Sequence, residues 1–80
     1  MTHANDTLTN AAYGTVVQVT WAPADGPSFA SVLETNPRPR TRSVVLEFAG
    51  GDQAEFEFAN GRWWDVDDSQ APVTLELVPR

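Results

Sequence analysis

The sequence predicts a small α+β domain, an antiparallel β-meander of four to five strands with one short helix between the first and second strands. Three observations carry this. The hexapeptides SVVLEF (43–48) and QAEFEF (53–58) alternate apolar and polar residues at the period of two that buries one strand face and wets the other. Asn60-Gly61 joins the second of them to RWWDV, and a type I′ hairpin turn selects that dipeptide because both of its central residues need positive φ. Phe29, Val32 and Leu33 have the i, i+3, i+4 spacing of a helical face. A small all-β barrel, with SFASVL as a strand, is the alternative, since six residues cannot be assigned by periodicity alone.

In chain order, residues 1–11 are polar, rich in Thr and Asn and without periodicity, which predicts a flexible tail. In YGTVVQVTW the residues Tyr13, Thr15, Val17, Val19 and Trp21 share one parity, predicting a strand at 13–21 with the more apolar face turned inward. APADGP breaks it. The helix is expected near 27–35, capped by Asp25 or Ser28 and stopped by Asn36-Pro37; at about ten residues it depends on tertiary packing. NPRPRTR then reads as a semi-rigid connector.

Three strands follow, at 42–48, 53–59 and 62–67. Between the first two, a three-residue loop Ala49-Gly50-Gly51 sets Glu47 against Gln53 and Val45 against Glu55, avoiding the Glu47–Glu55 pair of a five-residue loop. The two-residue turn at 60–61 sets Ala59 against Arg62, Phe58 against Trp63 and Glu57 against Trp64. A last strand at 73–78 is the fifth. Residues 75–80 also spell what a cloning-site scar and a cleaved thrombin site leave behind, so the single globular domain is placed at 12–74 and no functional argument uses the end of the chain.

Composition excludes more than it selects. The chain has 80 residues, no cysteine and a formal net charge of −6, so disulfides, thiolate metal sites and thiol nucleophiles are out, and a polyanion meets overall repulsion. All five cations are arginines, and Arg38, Arg40 and Arg42 form a secondary basic segment suited to bidentate contact with phosphate or carboxylate. Neither a cationic, apolar leader nor a run of about 20 apolar residues is present, so a cytoplasmic protein with no membrane partner is expected. The sequon at Asn5 has no use there.

An enzyme is not expected. His3, the one histidine, lies in the predicted tail, lysine is absent, and Glu55 and Glu57 sit on an open strand face where no cleft shifts a carboxylate's acidity. Asp65, Asp67 and Ser69 match positions 1, 3 and 5 of a calcium loop, but Gln70 replaces the required glycine and Pro72 interrupts it; no metal or cofactor is expected.

Binding is left. If Trp63 faces the core with Phe56 and Phe58, Trp64 must face outward beside Glu57, Glu55, Val66 and Val45. Indoles are enriched at binding hot spots. The expected function is therefore a non-enzymatic protein–protein interaction module or small structural subunit, with Trp64, Val66, Glu47, Glu55, Glu57, Asp65, Asp67 and Asp68 as the partner-binding set. The alternative is an acidic, nucleic-acid-mimicking inhibitor of the virus-encoded anti-defence type, whose carboxylates block a basic groove on a nucleic-acid enzyme. Both take another protein as partner; direct nucleic-acid binding is not expected, and a homo-oligomer is open.

Overall fold

The computed structural model describes residues 8–21, 28–38, 40–67 and 71–78. Six strands run in sequence, β1 Val16–Trp21, β2 Ser28–Asn36, β3 Ser43–Phe48, β4 Gln53–Ala59, β5 Arg62–Asp65 and β6 Ala71–Leu77. Each pairs antiparallel with its neighbour in sequence, and β6 pairs with β1 to close a barrel. Closure leaves no free sheet edge, the liability that an open four- or five-stranded meander would carry.

The predicted α+β class is thus corrected to all-β, the alternative left open by SFASVL. The helix expected near 27–35 is a strand over its described residues: Ser28–Asn36 forms a nine-residue strand in which Ala30 and Val32 are buried while Phe29 is 52% exposed. The spacing misled because of a bulge. Pairing with β3 shifts between Val32, opposite Leu46, and Glu34, opposite Val45, so Leu33 is an extra residue rather than the next position of a helical face. Energetically the strand is favoured, since an isolated ten-residue helix is marginal, whereas a strand here bonds to both β1 and β3 and closes the barrel. The proposed cap Asp25 lies outside the described residues.

Both hairpins of the central meander have the expected register. Val45 lies opposite Glu55 and Glu47 opposite Gln53, with Ala49-Gly50-Gly51 closed by Phe48 N–H donating to the Asp52 carbonyl at 2.7 Å. Across the next turn, Ala59 faces Arg62, Phe58 faces Trp63 and Glu57 faces Trp64. Asn60 (φ 54°) and Gly61 (φ 79°) both adopt the left-handed conformation that a type I′ turn requires.

The core is the barrel interior. Val17, Val19, Ala30, Val32, Val44, Leu46, Phe56, Trp63, Val73 and Leu75 fill it, alternating along each strand with outward residues. Leu8, from the segment expected to be a loose tail, is 1% exposed within the same cluster. Leu75, from the segment set aside as vector-like, pairs with Val19 and is 4% exposed. Tyr13 departs from its expected inward place: Gly14 takes a positive φ, Thr15 bonds back to Ala12, β1 begins only at Val16, and the phenol is 78% exposed.

Because all connections join neighbouring antiparallel strands, the β2–β3 and β4–β5 loops share one end of the barrel with the start of β1 and the end of β6. At that end Phe58 packs on Trp63 with ring centroids 5.3 Å apart, and the Arg42 guanidinium sits 5.9 Å from the Phe58 ring. The opposite end holds a second aromatic group, Trp21 against Phe48 (5.6 Å) and Phe56 (6.1 Å).

Candidate functional site: the outward face around Trp64

The registers of β3 to β6 build the outer face row by row. Ser43, Glu57, Trp64 and Pro72 are successive cross-strand neighbours in one row. One step along the strands, Val45 lies opposite Glu55, whose carbonyl accepts the Val66 N–H at 3.0 Å. Strand geometry separates the rows by about 7 Å, so Glu57 is the direct cross-strand neighbour of Trp64, and Val45, Glu55 and Val66 stand one row away.

Trp64 is half-buried although it points away from the core. Its Nε1–H donates to the Ala59 carbonyl at 2.8 Å, which draws the ring along the sheet towards the 60–61 turn. The bond has two consequences. It satisfies the one polar atom of the indole, leaving the π-face as what the ring offers, and it fixes the rotamer, so little side-chain entropy remains to be lost on contact. Val66 is 39% exposed, and Glu55 and Glu57 are both exposed.

Not every residue expected at this face is there. Asp65 shares the parity of Trp63 and turns into the barrel, 8% exposed, where Oδ2 accepts the Trp21 Nε1–H at 3.2 Å and Oδ1 accepts the Asp67 N–H at 3.0 Å. Its place in the partner-binding set is corrected to an internal acceptor closing the β5 end. Glu47 lies opposite Gln53 and Ser31, four residues along β4 from the row of Glu57 and Trp64, and belongs to a different surface. Asp67 is exposed at the barrel end opposite Arg42, and Asp68 lies outside the described residues.

The basic segment divides as well. Arg42 is half-buried against Phe58, closing the barrel mouth, while Arg38 and Arg40 are exposed. Arg62, exposed at the start of β5, lies at the same end. All four described cations therefore occupy one end of a chain whose net charge is −6.

A second surface escaped the sequence reading. Val16, Phe29, Ser31, Glu47, Phe48 and Ala49 line an open groove of about 240 Å³ across β1, β2 and β3. The signal was hidden by assigning Phe29 to the buried face of a helix. Among the described residues no group of three or more His, Asp or Glu side chains is placed to hold a metal ion, and no helix is long and apolar enough to cross a membrane. No protein-family model matches this chain, and neither the curated proteins nor the solved structures contain a match.

Proposed function

We propose that the chain is a non-enzymatic protein-interaction module that docks another protein on the outward face of β3–β6, with Trp64 at the centre. The observation that carries the reading is the pinned indole: a large ring on the outer face, bonded to Ala59, on a residue that stands between Glu57 and Pro72 in its cross-strand row, with Val45, Glu55 and Val66 one row further along the sheet. A pre-organised aromatic of this kind gains buried area at small entropic cost, which is what distinguishes a hot spot from ordinary surface. The polynucleotide-mimic reading draws less support. Its carboxylates are scattered, with Asp65 internal, Glu47 in the groove region and Asp67 at one barrel end.

Capture from a lysate with wild type, Trp64→Leu and Phe29→Ala side by side tests the proposal. A partner retained by Phe29→Ala and lost by Trp64→Leu, with the variants' circular dichroism unchanged, is the expected result. Equal capture by all three would refute it.

A further inference from the structure

We infer that the occupant of the Trp64 face is a second copy of this chain, with Arg38 and Arg40 of each copy seated on Trp64, Glu55 and Glu57 of the other about a twofold axis. The inference rests on the proposal that this face is a docking surface and names what docks.

The chemistry of the face selects the partner group. An indole π-face attracts a cation, a guanidinium best of all because it is planar and can stack, and flanking carboxylates add charge-assisted hydrogen bonds. Among the described residues no cation of the chain lies over the Trp64 ring, the one such contact being Arg42 on Phe58. Glu55 and Glu57 are exposed and make no ion pair among the described residues.

The complementary group is on the same molecule. Arg38 and Arg40 are exposed in the β2–β3 connection and likewise lack an ion pair there. Arg38 is held by its neighbour, its N–H donating to Asn36 Oδ1 at 3.3 Å. This connection runs six residues, from 37 to 42, longer than hairpin closure needs. It stands at the end of the barrel towards which the Ala59 bond draws the indole. A donor patch and an acceptor patch side by side on one surface are what an isologous dimer requires, since one twofold rotation makes both contacts at once.

Net charge opposes any self-association of a −6 chain, but unequally. At about 0.15 M salt the Debye length is about 8 Å, so repulsion between the bodies of the two molecules is largely screened while ion pairs inside the interface are screened much less.

The test is sedimentation velocity at that ionic strength over a wide range of concentration. Wild type should form a dimer. Arg38→Glu/Arg40→Glu and Glu55→Arg/Glu57→Arg should each weaken it by about a hundredfold or more, because every contact becomes like-charged. An equimolar mixture of the two should restore a heterodimer, since the acidic loop of one variant then meets the basic face of the other, and the basic loop of the second meets the acidic face of the first. All four positions changed are at the surface, and recovery in the mixture also shows that both variants are folded. A wild type that stays monomeric to millimolar concentration, a dimer indifferent to the reversals, or a mixture that fails to pair overturns the inference. If the chain is monomeric and lysate capture still depends on Trp64, the interaction module stands and the second copy as its occupant does not.

Discussion

Leu75→Ala, set against Phe29→Ala, asks whether the chain closes as a six-stranded barrel. Leu75 points inward from β6, lies opposite the fully buried Val19 and is 4% exposed; Phe29 points outward from β2 and is 52% exposed. Truncating Leu75 removes the transfer energy of roughly three carbon groups, about 2.4 kcal/mol, and leaves a void in a closed barrel that cannot collapse to fill it, about 1 kcal/mol more. The total of about 3 to 4 kcal/mol is a large share of the roughly 4–12 kcal/mol expected for a domain of this size. Urea unfolding followed by tryptophan fluorescence should show the midpoint falling by about 3 M if the slope is near 1 kcal/mol/M, and Phe29→Ala should stay within about 0.5 kcal/mol of wild type. The α+β prediction gives the opposite order, with Phe29 on the packed face of a helix and residues 75–80 dispensable. A Leu75→Ala protein as stable as wild type, or a Phe29→Ala protein several kcal/mol weaker, would refute the barrel closure.

Two further substitutions probe the chain's ends and turns. Asp65→Ala removes the acceptor for both the Trp21 indole N–H and the Asp67 backbone N–H, and should cost about 2–4 kcal/mol, with Asp65→Asn intermediate because it keeps one acceptor oxygen; thermal melting ranks the three proteins. Gly61→Ala should cost about 1–2 kcal/mol through φ +79° alone, because a Cβ there meets nothing within 4 Å, and chemical denaturation measures the loss.

Where sequence and structure agree, the local signals were redundant. Alternation in SVVLEF and QAEFEF, the glycines after Ala49 and the Asn60-Gly61 turn each fix the same register, so the outward placement of Trp64 beside Glu57 is legible in the sequence. The failures have separate physical causes. At β2 a bulged strand imitates helical spacing, since an inserted residue brings Val32 and Leu33 together as a helix would. Leu8 is one apolar residue in a polar segment, and no period announces that it will be drawn into a tertiary core. The strand expected at 73–78 does form, as Ala71–Leu77, but the likeness of the last residues to a vector remnant hid that Leu75 belongs to the core. For Asp65 the parity was correct and the polarity misleading; two N–H donors inside the barrel end give a carboxylate a reason to turn inward that neighbouring residues in sequence do not disclose. The bond from Trp64 to Ala59 likewise depends on how the indole lies across a turn, beyond the reach of pattern reading.

The central claim is that Trp63 and Trp64, adjacent in sequence, divide between core and docking face. Fluorine NMR of the protein labelled with fluorotryptophan reads the three indoles separately. The account predicts that the Trp64 resonance responds to a soluble paramagnetic probe and shifts as the concentration of the protein, or of a captured partner, is raised, while the buried Trp63 remains still. A Trp64 resonance insensitive to both, or a Trp63 resonance that moves with them, would contradict it.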